Sequence, residues 1–190
     1  MLIPVKAITS AKGATNKKDV RIHLRAILFD FDTETKRLSI VGTNAQCMIV
    51  NTFAVADEDV DFCKKHFMYE AYFINDLNVD KKATYLTFNE IDGRLVCNGQ
   101  ILEKMDMRYP SWKAVVPTKD LVKATAYCGW NSDLIKQVDK ALGWKETIMT
   151  KRPEVNKDEE REHLNPHKWT LYGVVPDTET VVMIMPMRID

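Results

Sequence analysis

Two places in the chain carry side chains at spacings a metal ion could use: Cys63-Lys64-Lys65-His66, and His163 with His167 four positions on. Zinc takes four thiolate or imidazole ligands that the chain must bring together. Nothing in the sequence ties these two pairs to one another, so no metal site is assigned. Asp158-Glu159-Glu160 offers neighbouring carboxylates of the kind acid–base chemistry uses, but it sits in a dense mixed-charge run where solvation accounts for it. There is no phosphate-cradling glycine loop and no nucleophile elbow, and the chain has only seven glycines. No catalytic residue and no cofactor is therefore assigned, and enzyme activity is not indicated. Trp112, Trp130, Trp144 and Trp169 could stack on nucleic-acid bases, but they are scattered beside apolar runs, which favours core or interface positions.

The residues that do suggest a function are apolar. The last eight, Met183-Ile184-Met185-Pro186-Met187-Arg188-Ile189-Asp190, form a methionine-rich tail where chain ends are ordinarily polar. Methionine is flexible and polarizable, and suits surfaces that receive a partner. The plain alternative is an edge strand completing a core.

These residues need elements to position them. Leu2–Ile8 reads as a short strand. Lys12–Ile27 is polar and basic with Val20, Leu24 and Ile27 at helical spacing, and is expected to be a helix. Ile27–Asp32, Arg37–Gly42 and Met48–Phe53 then read as a meander of strands between turn-like breaks. A second run of strands is expected over Met68–Ile74, Ala83–Phe88, Arg94–Cys97 and Ile101–Met105, with only a stub such as Asn75–Val79 helical between them. Asp92-Gly93 is the strongest hairpin signal in the chain. The best helix is Asn131–Leu142, with capping candidates at Asn131, Ser132 and Asp133, an apolar face of Leu134, Ile135, Val138, Ala141 and Leu142, and Gly143 at its end. Such a helix, roughly 18 Å long, presents Lys136 and Lys140 on its outer face. Lys151–Lys168 reads as a charged excursion with two prolines, and Trp169–Val175 and Thr180–Met187 as a closing pair of strands.

Composition sets the class. A chain of 190 residues with 45% hydrophobic and 28% charged residues is an ordinary globular one, long enough to bury a sizeable core. No run approaches the roughly 20 apolar residues of a spanning helix, and no signal peptide is visible at Met1-Leu2-Ile3-Pro4-Val5, so a cytoplasmic location is expected. Cys47, Cys63, Cys97 and Cys128 lie far apart without a repeated spacing, which fits reduced thiols. Net charge is zero but uneven: residues 1–55 hold eight Lys/Arg against four Asp/Glu, residues 56–117 eight against eleven, and residues 118–190 eleven against twelve. A local basic surface on a neutral body suits weak, sequence-blind contact with a polyanion.

Three stretches together resemble the bacterial beta sliding clamp, the processivity subunit of DNA polymerase III. The tail Met183–Ile189 is similar to that family's C-terminal strand. Met107-Arg108-Tyr109-Pro110-Ser111-Trp112-Lys113-Ala114-Val115-Val116-Pro117 is similar to the segment that closes the clamp's middle domain, and Gly129–Leu142 to a helix of its last domain. A looser match runs from Asp19 through Leu28-Phe29 to Val41-Gly42-Thr43-Asn44-Ala45-Gln46-Cys47-Met48, where Gln46 and Cys47 replace the usual His-Arg pair. The segments occur in the family's order.

The resemblance implies an α+β, DNA-clamp-like fold, with antiparallel sheets and few helices packed on one face. It implies a middle-domain-like unit over 1–117 and a partial last-domain-like unit over 118–190, with the charged insertion 146–168. It also implies a partner-peptide pocket of Thr43, Met48, Pro110, Val115, Asn131, Leu134, Met183, Ile184, Pro186, Met187 and Arg188, and a DNA-facing surface of Lys12, Lys17, Lys18, Arg21, Arg25, Lys136 and Lys140. The partners implied are a DNA polymerase or another protein with a clamp-binding motif, and duplex DNA held non-specifically, with no membrane. Family rings hold twelve helix-plus-sheet half-units, so a chain with three would close an equal ring as a homo-oligomer of four. The function implied is that of a DNA replication accessory protein acting by tethering. The alternative is a monomeric clamp mimic or inhibitor that sequesters polymerase or clamp partners without encircling DNA. A third class, a small hydrolase or nuclease, has no grouped acid, histidine or metal signature behind it.

Overall fold

The computed structural model describes residues 1–74, 77–80, 82–118, 121–123, 130–143, 153–156, 166–175 and 177–186. It is built on one long antiparallel sheet whose nine strands are β2 (Ile27–Asp32), β3 (Arg37–Thr43), β4 (Cys47–Ala54), β5 (Glu70–Phe73), β9 (Glu103–Lys104), β10 (Leu121–Lys123), β11 (Glu154–Asn156), β12 (His167–Tyr172) and β13 (Thr178–Ile184). Their order across the sheet is β10-β11-β12-β13-β4-β3-β2-β5-β9. A smaller sheet, β1-β6-β7-β8, comprises Leu2–Pro4, Tyr85–Ile91, Arg94–Cys97 and Gln100–Ile101.

The meander expected from Ile27 onward is present, with each strand within a residue or two of its expected limits. The Asp92-Gly93 turn, both residues at positive φ, closes β6 onto β7 with Ile91 opposite Arg94. The central step of the long sheet is β13 beside β4. Ile184 lies opposite Cys47 and Met183 opposite Met48, so the end of the chain pairs with a strand of its first third.

Because side chains alternate along a strand, the long sheet has two distinct faces. One carries Phe29 and Phe31 of β2, Leu38 and Ile40 of β3, Cys47, Ile49, Asn51 and Phe53 of β4, and Val182 and Ile184 of β13. Helix α1 (Val5–Gly13) and helix α3 (Ser132–Leu142) cover this face. The small sheet adds Leu86, Phe88, Leu95 and Cys97 to the same core. α1 approaches β3 so closely that a Cβ at Gly42 would run into the Ala11 carbonyl oxygen. Between α1, β4 and β13 lies a buried polar knot. The Asn51 amide donates to Ala7 O at 3.0 Å and to Ser10 Oγ at 2.9 Å, and Thr180 Oγ1 donates to Asn51 Oδ1 at 2.9 Å. The opposite face, with Leu28, Val41, Met48, Val50, Val181 and Met183, carries no α-helix among the described residues and receives the chain around Met105 and Tyr109 instead.

α3 follows the sequence closely: Asn131 is its N-cap, accepting from Asp133 N at 2.9 Å, and Gly143 its left-handed C-cap. Several expectations need correction. The strand over Leu2–Ile8 stops at Pro4, and α1 begins there, burying Ala7, Ile8 and Ala11. The β-branched Val5, Ile8 and Thr9 suggest strand, but packing on the sheet overrides that preference. The helix over Lys12–Ile27 is absent. α1 ends at Gly13, Asn16 and Asp19 turn the chain by accepting from Lys18 N and Arg21 N, a short 3-10 turn covers Ile22–Arg25, and Val20 is 93% exposed. A helix the sequence reading lacks, α2, occupies Val60–His66 behind the acidic turn Asp57–Asp59. The stub expected at Asn75–Val79 is not helical over Leu77–Val79, and residues 75 and 76 lie outside the described residues. Finally, the charged excursion contains β11, while 146–152 and 157–165 lie outside the described residues.

Candidate functional site

A cavity of ≈ 300 Å³ opens on the helix-free face of the long sheet. Its floor is Met48 of β4 and Met183 of β13, side by side across the ladder, with Met185 just beyond. The β3–β4 turn forms one edge. Thr43 Oγ1 donates to Cys47 O at 2.7 Å and accepts from Ala45 N at 3.0 Å, and Asn44 Oδ1 accepts from Gln46 N and Cys47 N. These bonds satisfy a tight turn that holds Ala45 at φ 73°. His23 and Leu24, carried in by the 3-10 turn, line another side, and Pro166 completes it.

The wall opposite is the stretch Tyr109–Val115, including the 3-10 turn Trp112–Val115. It is fastened to the sheet by polar ties. Trp112 Nε1 donates to Asp30 Oδ2 at 2.9 Å, Lys113 Nζ pairs with the same oxygen at 2.9 Å, and the Tyr69 hydroxyl donates to Pro110 O at 2.8 Å. Asp30 projects from the cavity-bearing face of β2 at 9% side-chain exposure, where a carboxylate needs such partners. Burial raises the Tyr109 hydroxyl pKa, and that hydroxyl has no hydrogen-bond partner among the described residues. Burial also pushes the Cys47 thiol up to about 12, so it stays protonated.

Five of the eleven pocket residues expected from sequence meet here: Thr43, Met48, Pro110, Val115 and Met183. Leu134 and Ile184 do not. Both are packed on the other side of the sheet, in the core that α3 forms with Ile49, Trp169 and Val182. The cause is strand alternation: Met183 and Met185 share a face, and Ile184 must point the other way. Asn131 is occupied as the α3 cap and is not part of the lining, nor is Pro186. Met187 and Arg188 lie outside the described residues. Sequence reasoning missed His23, Leu24, Tyr109, Trp112 and Met185. A period-two reading of the tail would have found Met185, whereas His23 and Leu24 arrive only through the fold.

The expected cationic residues fall into two groups. Lys12 lies in the last turn of α1, with Lys136 and Lys140 on the solvent side of α3, and these two helices pack together through a Gln137 Nε2–Gly13 O bond of 2.8 Å. Lys17, Lys18, Arg21 and Arg25 follow α1. Arg21 is clamped by Asp19, whose carboxyl is held down at about 2 by that bond, and Arg25 sits 5.8 Å over the Phe73 ring. Of the residues at metal-like spacings, Cys63 and His66 are both buried on α2, with His66 Nε2 2.9 Å from Glu90, and His163 lies outside the described residues. Among the described residues no cluster of three or more His, Cys, Asp or Glu could hold an ion, and no helix is long and apolar enough to cross a membrane.

No family model and no curated protein matches this sequence. Solved structures match it along its length. The beta clamp of Helicobacter pylori in complex with diflunisal gives a TM-score of 0.54 at 12% identity, over 99% of this chain and 66% of that one. DNA polymerase III subunit beta from Borrelia burgdorferi, in complex with a natural product, gives 0.52 at 13% identity over 100% and 64%. Caulobacter crescentus polymerase III beta gives 0.53 at 9% identity over 100% and 65%. The chain has a beta-clamp fold. It spans just under two thirds of the length of these clamps. In this clamp-like chain the helices lie on one face of the long sheet and the apolar cavity on the other.

Proposed function

We propose that this clamp-like chain is a DNA replication accessory protein whose cavity binds a short apolar motif of a polymerase or another partner, so that it acts by tethering and not by chemistry. The observation that carries this reading is the cavity itself: a preformed concave site with a methionine floor and a tryptophan–proline wall. Concave apolar sites with a few polar edges are where peptide anchors gain most of their affinity, and methionine adapts to several occupants. On this reading residues 1–117 act as a middle-domain-like unit and 118–190 as part of a last-domain-like unit. Lys12, Lys17, Lys18, Arg21, Arg25, Lys136 and Lys140 contact duplex phosphates without reading sequence, and self-association of the chain encircles the duplex.

The test is a titration by fluorescence anisotropy of a labelled apolar peptide carrying two leucines and a phenylalanine. Val115 lines the cavity but is 49% exposed, so Val115→Asp leaves the fold intact while placing a charge at the site. The wild-type chain binds with micromolar affinity and Val115→Asp at least about tenfold more weakly, since desolvating a carboxylate against an apolar anchor is costly. Equal binding by the two proteins rules the cavity out as the partner site.

A further inference from the structure

A second and larger cleft, of ≈ 510 Å³, opens at the seam between the two sheets and shares no lining residue with the methionine-floored cavity. The last turn of α2, the start of β7, the stretch Ile101–Lys104 that forms an edge of both sheets, and Tyr72 of β5 meet there. Its floor is apolar, with Tyr72, Leu95 and Leu102 each no more than 5% exposed. Its walls receive a cation from each of three elements: Lys65 of α2, Arg94 of β7 and Lys104 of β9. Two of these cations are aimed. Lys65 Nζ is held 2.6 Å from Glu90 Oε2 and Lys104 Nζ 2.9 Å from Glu70 Oε2, and neither glutamate lines the cleft, so the lysines face the open space with their acids behind them. An ammonium has three donors, so each lysine keeps some for a ligand. One acid, Glu103, belongs to the lining, but it lies opposite Phe73 in the β5–β9 ladder and projects to the other face. Lys104 lies opposite Tyr72 and stands over the floor that Tyr72 helps to form.

From this geometry we infer that the cleft is a binding site for a small phosphate monoester, whose phosphoryl oxygens are received by Lys65, Arg94 and Lys104 while its organic body lies on Tyr72, Leu95 and Leu102. A phosphate monoester carries a charge of about −1.5 to −2 at neutral pH and three strong acceptor oxygens. That matches three cations arriving from three directions, where a carboxylate with one charge would not. Guanidinium and ammonium bonds to phosphate are charge-assisted and among the stronger kind. The volume falls within the roughly 300–1,000 Å³ of small-molecule sites, and a bare phosphate would leave the buried apolar floor uncovered. The site is separate from the proposed partner cavity, and each can fail without the other.

The experiment is a chemical-shift titration of the full ¹⁵N-labelled chain with adenosine 5′-monophosphate, adenosine and inorganic phosphate. The monophosphate is expected to shift the amides of Lys65, Arg94, Leu95 and Lys104 saturably, and to bind about tenfold more tightly than either adenosine or phosphate alone, with the shifts weakening between 50 and 500 mM NaCl as mobile ions screen the contact. Arg94→Gln, at an exposed position, should weaken the monophosphate about tenfold. Lys64→Gln removes the same charge from the residue next to Lys65 but outside the lining, and should change the affinity less than twofold. Absence of shifts at these amides with 10 mM monophosphate overturns the site. Adenosine binding as tightly as its monophosphate overturns the phosphate assignment, and inorganic phosphate doing so overturns the role of the floor. Equal losses in Arg94→Gln and Lys64→Gln reduce the effect to overall charge and overturn the residue assignment. Displacement of the monophosphate by an equimolar 20-bp DNA duplex gives the cations to a nucleic-acid backbone and overturns the small ligand.

Discussion

The two faces of the long sheet are drawn from the same strands but meet different neighbours. On the helix side, Ile49 and Val182 are fully buried against α3, and even the polar Asn51 is satisfied by α1 and β13. On the other side Met48 and Met183 face the strap around Tyr109–Val115 and the 3-10 turn that carries His23 and Leu24, and the space between is left as a cavity. The polar ties that hold the strap include two on the single carboxylate of Asp30 and one from the Tyr69 hydroxyl. A face packed by amphipathic helices closes on itself, whereas a face covered by an irregular segment stays open to a ligand.

Adjacent residues of β4 offer the sharpest way to break this comparison. Ile49→Ala, on the closed face, should cost about 4 kcal/mol in urea unfolding, and Met48→Ala, which already borders a void, about 2 kcal/mol, since large-to-small losses scale with the new cavity left behind. Equal costs would mean that both faces are packed alike. Next in size is Asp30→Ala. It removes the acceptor of Trp112 Nε1 and the partner of Lys113, and should cost about 1–2 kcal/mol. Amide hydrogen exchange in peptides covering 109–117 should quicken while β2–β4 keep their protection; slow exchange in the strap would show that apolar contact alone holds it.

The smallest effect belongs to the helix side. Glu90 accepts from Lys65 and His66 of α2, and these bonds hold its carboxyl below the usual value of 4.5. A carboxyl with a depressed folded pKa contributes stability that is fully present above its unfolded pKa and lost as pH falls through the folded one. Thermal melts of Glu90→Gln should therefore lie slightly below wild type at pH 7 and converge with it only as pH falls through the depressed folded pKa, below the usual carboxylate value, where both proteins carry a neutral side chain. A gap that widens on acidification would refute that account.

Much of the framework was legible in the sequence because its cues are local. The Asp92-Gly93 turn, the alternation of β2 to β4, and the cap residues Asn131 and Gly143 each act within a few residues of themselves. The site was legible in part. Thr43, Met48, Pro110, Val115 and Met183 line the cavity, whereas Leu134 and Ile184, drawn from equally apolar stretches, ended on the opposite face.

By itself, then, the sequence determined an α+β chain of antiparallel strands, with one strongly amphipathic helix near its end and an apolar tail suited to a sheet. Hydrophobic period and turn chemistry are enough to specify those. Tertiary structure decided the rest. Val5–Gly13 became helix on the sheet surface against its local preference, and the tail strand was laid beside β4 with Met183 against Met48. The strap was bound to Asp30, and His23 was brought to a cavity whose other walls lie as far away in sequence as Met185. Each of these depends on groups distant in the chain meeting at one place. Period-two alternation offers two faces for every strand, and only the arrival of α1, α3 and the strap decides which one is sealed.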